Sequence, residues 1–274
     1  METTPTDLTR LRAELERLDR VVVAFSGGAD SAFVAWLAHD TLGRDRALAV
    51  TAVSPSLAGE ERDECASLAS EWGLRWHTVA TDEMERAAYV RNDGDRCFHC
   101  KDALMDAVAP IAAEESAVVV LGVNVDDLGD HRPGQHAAAA RGAVFPLVAA
   151  GFTKPMVRAA SRQLGLRTWD KPAAACLASR VPYGTPVTLG VLDAVGRAEA
   201  ALHELGFADV RVRHYSETAR IEVPLDRLDE VLRCRAQVVD AVRSAGYRRV
   251  TLDLEGLRSG NLNDVLVDRQ RRRS

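Results

Sequence analysis

Six residues near the N-terminus, SGGADS from Ser26 to Ser31, combine hydroxyl groups, a carboxylate and two glycines. They follow an apolar segment, residues 21–25, that is typical of a buried parallel strand, and residues 29–39 predict a helix. A strand that turns through glycines into a helix presents free backbone N–H groups, which bind anions. The stretch therefore predicts a phosphate-binding loop, with an ordinary capped strand–helix turn as the alternative. It lacks the lysine of GxxxxGK[ST] and the glycine spacing of GxGxxG.

The five cysteines fall into two groups. Cys65 and Cys234 lie in predicted helices among apolar neighbours, where a thiol usually acts as a small buried hydrophobe. Cys97 and Cys100 form a CxxC pair just ahead of a predicted helix, and Cys176 stands among alanines in an irregular segment. Such thiols suit a nucleophile, a redox pair or a metal ligand. Three cysteines can also hold a [4Fe–4S] cluster and leave one iron open.

The elements that must position these residues alternate between strands and helices over the first 165 residues. This alternation predicts right-handed crossovers and a parallel α/β sheet. Ligands bind beyond the carboxyl ends of such strands, and the segment 123–134 follows one of them. After the first strand and helix, we expect strands at 47–53, 74–79 and 117–122, and helices at 60–71, 101–113 and 154–164.

The pattern changes near residues 165–185, where Pro172, Pro182 and Gly184 interrupt regular structure. Downstream we expect an α+β unit, with a helix at 189–205, a hairpin at 210–214 and 219–223, a helix at 227–245 and a strand at 249–254. The predicted organisation is a domain with the phosphate-binding loop over 1–170, an irregular segment that carries Cys176 over 171–186, and a smaller α+β domain over 187–274.

Composition narrows the class of protein. The chain has 274 residues, a hydrophobic content of 47% and a net charge of −5, which does not favour a nucleic-acid partner. No apolar run reaches the roughly 18 residues of a membrane span. The N-terminal segment has no apolar signal core, and Leu8, Leu11, Leu15 and Leu18 form one stripe of a packed helix. Five cysteines, an odd number, argue against a disulfide framework, so we expect a cytoplasmic protein.

The SGGxDS pattern after a strand resembles the PP-loop of the ATP-pyrophosphatase superfamily. The resemblance implies an adenine nucleotide alpha hydrolase-like, Rossmann-like domain that cleaves ATP between its α and β phosphates, so that a substrate oxygen is adenylated. Ser26 and Ser31 would then supply hydroxyl donors, and Gly27 and Gly28 would allow close backbone approach. Asp30 would be a Mg²⁺ ligand.

Six segments spread in order over nearly the whole chain resemble the LarE family: SGGADS, RCFHCK, GVNVDDLGDHRPG, KPAAACLASRVPYGTPVT, VRVRHYSETARIEV and TLDLEGLRSGNLN. Members of this family are ATP-dependent sulfur transferases that make the nickel-pincer nucleotide cofactor of lactate racemase. The resemblance implies that pyridinium-3,5-biscarboxylic acid mononucleotide is the substrate and that its carboxylates become thiocarboxylates. The expected partners are this small molecule and further copies of the chain, with no nucleic acid and no membrane.

Two sources of sulfur occur in the family. In the sacrificial form, the cysteine that matches Cys176 attacks the acyl adenylate, loses its sulfur and becomes dehydroalanine. In the other form, three cysteines hold a [4Fe–4S] cluster that carries the transferable sulfide. Because this sequence has cysteine at Cys97, Cys100 and Cys176, we favour the cluster form.

The resemblance implies that residues 1–170 bind ATP, that 171–186 form an active-site segment and that 187–274 bind the substrate. It also assigns roles at matching positions. Lys101 and Arg180 would face the anionic reaction centre and stabilise developing charge. The substrate's phosphate would be bound by Glu199, Arg211 and Arg213, the two arginines pointing the same way because a strand has period two. Glu222 would be a second metal ligand, and the ATP site would also include Ser54, Asn124, Asp127 and Arg132.

Three other classes remain open. A PP-loop tRNA thiolase also combines ATP activation with cysteines, but it predicts a basic surface. An amide-forming PP-loop ligase leaves Cys97, Cys100 and Cys176 without a purpose. A non-catalytic nucleotide-binding regulator explains the loop but not Cys176. Binding to tRNA, and release of pyrophosphate with a pyridinium dicarboxylate, would separate these classes.

Overall fold

The computed structural model describes residues 5–129, 133–172 and 176–258. The chain divides into two compact units. The first comprises Met1–Glu83 and Cys97–Ala174, and the second comprises Met84–Arg96 and Ala175–Ser274. The domain limits inferred from the sequence remain a prediction, and the assignment of 84–96 to the second unit had no counterpart among them.

The regular elements are numbered along the chain. The strands are β1 Val21–Ala24, β2 Ala47–Val53, β3 Arg75–Ala80, β4 Val118–Leu121, β5 Arg211–Tyr215, β6 Thr218–Glu222 and β7 Arg249–Leu252. The helices are α1 Pro5–Leu18, α2 Ala29–Leu42, α3 Gly59–Glu71, α4 Ala87–Val90, α5 Arg96–Glu114, α6 Pro133–Ala140, α7 Pro146–Ala149, α8 Lys154–Gln163, α9 Leu189–Glu204, α10 Leu228–Arg233 and α11 Arg235–Ser244. Among the described residues, no helix is long and apolar enough to cross a bilayer.

The first unit is built on a parallel four-stranded sheet in the order β3-β2-β1-β4. Strand β1 is central, and Val22 is in register with Leu48 of β2 and with Val119 of β4. A strand with neighbours on both edges and helices on both faces must be apolar on both faces, which explains the unbroken valine run. The predicted α/β fold with a parallel sheet is confirmed.

The two faces of this sheet carry separate cores. One face packs against α1, α2 and α8, and its fully buried residues include Leu11, Leu15, Phe33 and Leu37. The leucine stripe of α1 thus packs against this core as the sequence predicted, with Leu8 and Leu18 at its partly buried ends. The other face contains Val22 and packs against the α5 side chains Leu104, Met105 and Val108. The sheet is therefore clamped between two apolar layers, which fixes the positions of its strand ends.

Helix α5 starts earlier than its sequence pattern predicted. It begins at Arg96 instead of Lys101, so Cys97 and Cys100 lie in its first turns and not ahead of it. The backbone N–H of Arg96 donates to the carbonyl of Asp93, and the Arg96 side chain is only 5% exposed. Tertiary contacts of this arginine hold the first turn, and such contacts leave no local periodic signal.

The second unit contains a three-stranded sheet in the order β5-β6-β7. Strands β5 and β6 form the predicted antiparallel hairpin, closed where Tyr215 pairs with Thr218, and β7 runs parallel to β6. The prediction of one helix over 227–245 was wrong, because α10 and α11 are separated at Cys234. The hairpin presents β5 against α9, which brings charged residues of both elements together.

Residues 84–96 join the second unit through buried hydrogen bonds. Asn92 is fully buried in a left-handed conformation (φ 58°). Its Nδ2 group donates to the carbonyls of Pro182 and Thr185, both at 2.9 Å. Arg96 donates to Asn92 Oδ1 at 2.5 Å and to the Ala178 carbonyl at 2.8 Å. An irregular segment that buries its carbonyl groups needs such donors, so Asn92 and Arg96 stabilise residues 178–185.

A histidine and a tyrosine form a polar contact in the core of the second unit. His214 on β5 is 9% exposed, and its Nδ1 lies 3.2 Å from the hydroxyl of Tyr247. Burial lowers the pKa of His214 and is also the main cause of the raised pKa of Tyr247. Both side chains are therefore held neutral near pH 7.

This burial predicts a stability that depends on pH. Because the pKa of folded His214 lies below its unfolded value of about 6.5, stability is complete above pH 6.5 and falls as the pH drops through the folded pKa. Urea unfolding midpoints should therefore decrease between about pH 7.5 and pH 5. His214→Gln should flatten this slope, since glutamine keeps a hydrogen bond to Tyr247 but does not titrate.

The matched control is His77→Gln, which changes an exposed histidine of β3 and should leave the slope as in the wild type. Equal slopes in wild type and His214→Gln would assign the pH dependence to other groups.

Candidate active site

The loop after β1 has the geometry of an anion cradle. Gly27 adopts a left-handed conformation (φ 70°), and Gly28 caps α2 without a side-chain hydrogen bond. The first bond of the helix runs from the Ala32 N–H to the Gly28 carbonyl at 2.9 Å. The N–H groups of residues 29–31 precede this bond and have no acceptor within the helix. They are available to an anion at the positive end of the helix dipole.

The two serines of the loop interact with each other. Ser31 Oγ donates to the Gly28 carbonyl at 3.1 Å and accepts from the Ser26 N–H at 3.2 Å. The two hydroxyl oxygens are 3.0 Å apart. Since the Ser31 proton is used by Gly28, Ser26 donates to Ser31 in this pair. Ser31 therefore holds the loop in shape, a role that the sequence did not distinguish from ligand binding.

Two lysines from later parts of the chain supply the positive charge that the loop lacks. Lys154, the first residue of α8, places its Nζ 2.5 Å from Asp30 Oδ2. Lys171 pairs with Glu61 at 2.8 Å, and its Nζ is 3.8 Å from the point that a Cβ on Gly27 would occupy. Sequence reasoning missed both lysines, although a phosphate loop without its own lysine calls for a cation from elsewhere.

Asp30 retains an oxygen for a further partner. Its Oδ1 is buried and accepts no hydrogen bond from the described residues. A buried acceptor without a donor is costly, and a carboxylate oxygen is a preferred ligand of Mg²⁺. The residue therefore fits the predicted magnesium ligand. That role stays a prediction.

A glycine that sequence reasoning did not single out lies directly beneath the loop. A Cβ on Gly122, at the end of β4, would lie 2.7 Å from the Ser31 nitrogen and 2.8 Å from Asp30 backbone carbon. Real Cβ atoms do not come this close to a rigid main chain. The first turn of α2 therefore packs against bare backbone, and only glycine fits there.

The segment after Gly122 is tied together by its own side chains. Asn124 is 1% exposed, and its Oδ1 accepts from the N–H groups of Asp126 and Asp127 at 3.0 and 3.3 Å. Asp126 accepts from the Lys154 N–H at 2.8 Å, and so caps α8. The predicted ATP contacts Asn124 and Asp127 thus shape this loop, and Asp126 binds the first residue of the helix that carries Lys154. Arg132 lies outside the described residues.

The CxxC pair lies on the first turns of α5. Cys97 is exposed, Cys100 is half-buried, and a spacing of three residues places both on one face of the helix. Gly134 of α6 packs closely here, since a Cβ would lie 2.7 Å from Lys101 Cγ and 2.8 Å from the Cys97 carbonyl oxygen. This contact fixes the position of the helix turn that carries Cys97 and Lys101.

In the second unit, Cys176 is exposed and precedes a 3-10 turn over Leu177–Arg180. Arg180 forms a bidentate ion pair with Glu199 of α9, with both N–O distances 2.9 Å. Its Nη1 also approaches the Cys176 carbonyl at 3.4 Å. Glu199 additionally accepts from the Val212 N–H at 2.8 Å. Both charged residues predicted to contact substrate are thus buried together, and they hold the turn that follows the cysteine.

The two arginines of β5 have different surroundings. Arg213 is 3% exposed and binds Glu222 through Nε and Nη2 at 3.0 and 2.9 Å, and its Nη1 donates to the Ser179 carbonyl. Arg211 is half-buried, and within the described chain it has no carboxylate within ion-pair distance. Burial lowers the pKa of Arg211, and the nearby charges of Arg213 and Arg180 lower it further.

The surroundings of Arg211 and Glu222 bear differently on the roles predicted for them. Three arginines and two glutamates leave an excess of positive charge that centres on Arg211, which suits an anionic ligand. Glu222 is fully buried and accepts from both Arg213 and Arg220, a setting unlike that of a metal ligand. Among the residues that the structure describes, no three His, Cys, Asp or Glu side chains form a group that could hold a metal.

Comparisons with known proteins agree with this site. The NAD synthase family model matches residues 8–104, which include the loop and the CxxC pair. The chain is 40% identical over 271 residues to pyridinium-3,5-bisthiocarboxylic acid mononucleotide synthase of Lactiplantibacillus plantarum, covering 98% of both proteins. It is 44% identical over 263 residues to an uncharacterised protein of Synechocystis, covering 95% of this chain and 98% of the relative. Glutamine-dependent NAD(+) synthetase of Aquifex aeolicus is 34% identical over 79 residues, 29% of this chain and 14% of that protein.

The parallel sheet and its glycine turn, together with these matches, define an ATP-using enzyme of the PP-loop class. Its near-complete alignment with the Lactiplantibacillus plantarum synthase identifies the family more closely. The chain belongs to the LarE family of sulfurtransferases.

Gly122→Ala tests whether the loop depends on the close approach of β4. A methyl group here would force the N-terminus of α2 away from the sheet, because its nearest neighbours are main-chain atoms. We expect ATP affinity to fall about tenfold or more, and the unfolding free energy by about 1–3 kcal/mol. Calorimetric titration and urea unfolding measure the two effects.

Gly129→Ala is the matched control, since a Cβ at this position meets no atom of the described residues within 4 Å and the residue has no left-handed backbone conformation. Wild-type affinity in Gly122→Ala would show that the loop adapts to displacement of α2.

Proposed function

We propose that this enzyme uses ATP to convert the carboxylates of pyridinium-3,5-biscarboxylic acid mononucleotide into thiocarboxylates. The observation that carries the proposal is the 40% identity, over 98% of both chains, to a protein named as the synthase of the bisthiocarboxylic product. The loop after β1, with its unused N–H groups and flanking lysines, supports the use of a nucleoside triphosphate. The substrate is a small anionic nucleotide, with no role for nucleic acid.

The first step adenylates the substrate. A substrate carboxylate oxygen attacks the α-phosphorus of ATP, a new O–P bond forms, and the bond to the β-phosphate oxygen breaks to release pyrophosphate. The α2 N–H groups and the Lys154 ammonium stabilise negative charge on the phosphates. Asp30 would hold Mg²⁺ through Oδ1, and that ion would neutralise charge on the leaving pyrophosphate.

The second step transfers sulfur. A sulfur nucleophile attacks the acyl carbon, a C–S bond forms, and the bond to the AMP oxygen breaks. We propose that Cys97, Cys100 and Cys176 hold a [4Fe–4S] cluster, which supplies a transferable sulfide when bound. The pair on one face of α5 and the exposed Cys176 thiol support this assignment. Lys101, in the same helix turn as Cys100, would balance the negative charge of thiolates.

The sacrificial mechanism is the second candidate. It is favoured by the exposure of the Cys176 thiol, since this mechanism needs no other cysteine. In this case the Cys176 thiolate attacks the acyl carbon, and its Cβ–S bond then breaks with loss of an α-proton. The sulfur stays on the product and residue 176 becomes dehydroalanine.

One experiment tests the function and separates the two sulfur sources. The anaerobically purified protein, with ATP, Mg²⁺ and the pyridinium dicarboxylate nucleotide, should release pyrophosphate only when the nucleotide is present. Iron should bind at about four atoms per chain. Cys97→Ala and Cys176→Ala should lose both iron and sulfur transfer, whereas Cys65→Ala, which changes a buried cysteine, should lose neither.

The opposite results have clear meanings. Active, iron-free protein in which residue 176 is lighter by the mass of hydrogen sulfide, with Cys97→Ala still active, would replace the cluster with the sacrificial mechanism. Pyrophosphate release with a transfer RNA, and none with the pyridinium nucleotide, would replace the whole proposal with the tRNA thiolase.

The contrast between Arg211 and Arg213 predicts two kinds of defect. We propose that Arg211 binds the substrate's phosphate, so Arg211→Ala should weaken nucleotide binding by about 1.5–3 kcal/mol, a ten- to hundredfold loss. The unfolding free energy of Arg211→Ala should change little. Arg213→Ala would leave buried Glu222 without its main partner and should cost about 3–5 kcal/mol of unfolding free energy.

Binding is measured by titration of the substrate at saturating ATP, and stability by urea unfolding. Unchanged substrate affinity in Arg211→Ala, with ATP binding intact, would remove this residue from the substrate site.

A further inference from the structure

Three polar side chains form a buried chain of hydrogen bonds where β2 and β3 end. Glu83 is 2% exposed, and its Oε1 accepts from the Ser56 hydroxyl at 3.1 Å. Ser56 is 4% exposed, and its Oγ lies 2.8 Å from Ser54 Oγ. The Ser56 N–H also donates to Ser54 Oγ at 3.2 Å. Ser54 itself is only half-buried, so a ligand can reach it.

Counting protons fixes the direction of this chain. A carboxylate has acceptors only, so Ser56 must give its one hydroxyl proton to Glu83. In the 2.8 Å contact between the serines, Ser54 is therefore the donor and Ser56 the acceptor. The Ser54 proton is then used, and one of its lone pairs accepts from the Ser56 N–H. What remains on Ser54 is a single acceptor site.

The position of this acceptor suits recognition of a nucleotide. Ser54 directly follows β2, which pairs in parallel with β1, so it lies at the same edge of the sheet as the anion-binding loop. Ligands of open α/β sheets bind beyond this edge. In addition, Glu83 Oε2 is buried and accepts no hydrogen bond from the described residues. This oxygen can therefore accept one further hydrogen bond.

We propose that Glu83 is a positioning residue for base selection, acting through Ser56 to make Ser54 an acceptor that reads the amino group of adenine. If a base has a carbonyl oxygen in place of that amino group, the lone pairs of this oxygen would face the free lone pair of Ser54 Oγ. The two acceptors would repel each other. The enzyme would thus discriminate ATP from ITP or GTP. This inference rests on the proposed use of ATP and deepens it.

Calorimetric titration of the full chain with ATP and ITP measures the discrimination. Wild type should bind ATP at least about tenfold more tightly than ITP, the difference expected from one hydrogen bond. Ser56→Ala removes the acceptor of the Ser54 proton and frees Ser54 to donate, so the ATP/ITP ratio should fall to within about threefold. Glu83→Leu, which removes the acceptor of the Ser56 proton and lets Ser56 donate to Ser54, should lower the ratio in the same direction.

Glu85→Leu is the control, since it makes the same chemical change on an exposed residue of the same short turn and should keep the wild-type ratio. A wild-type ratio in Ser56→Ala, or equal affinity of wild type for ATP and ITP, would overturn the inference. If Ser56→Ala does not fold, the ratio in Glu83→Leu decides by the same criterion. Failure of the wild type to bind ATP at all would instead overturn the proposed function.

Discussion

The approach of a helix end to a bare strand end is the constraint on which the first unit depends. The N-terminal turn of α2 must lie close to the sheet for its N–H groups to point beyond the carboxyl ends of the strands. That closeness leaves no room for a side chain at Gly122. On the side of β2, the Thr51 hydroxyl donates to the carbonyl of Phe25, the residue before the loop, at 2.8 Å. The same hydroxyl accepts from Trp76 Nε1 at 2.9 Å. The conformation of the loop is thus determined by its contacts with the sheet.

The second unit relies on buried ion pairs instead. Arg180 with Glu199 and Arg213 with Glu222 are nearly inaccessible to water, where an unpaired charge would be severely destabilising. Replacement of such pairs by apolar residues is often neutral for stability. Their value here lies in geometry, since the two pairs connect the turn after Cys176 to α9 and to the hairpin. The turn after Cys176 is thereby held in one conformation.

The sequence predicted those features that depend on neighbours along the chain. The valine strand, the glycine turn and the parallel sheet all follow from local pattern, and the resemblance to LarE identified the family. It did not predict Lys154 or Lys171, because these lysines reach the loop only through the fold, from more than 120 residues away in sequence. Nor did the sequence show that Arg213 is buried whereas Arg211 is only half-buried. Strand periodicity places both on one face and says nothing of what packs there.

Each of the two units consists of two separate segments of the chain. This division has a consequence for truncation of the protein and for its synthesis. Residues 84–96 are made early, yet Asn92 and Arg96 bond to carbonyls at positions 178–185. Until the ribosome has added that later segment, the Asn92 amide and the Arg96 guanidinium lack their acceptors at positions 178–185. No single truncation can therefore release either unit intact, and a fragment that ends before residue 175 would carry an orphaned insert in its middle. Tyr89, which is 1% exposed in the complete protein, would make such a fragment prone to aggregate.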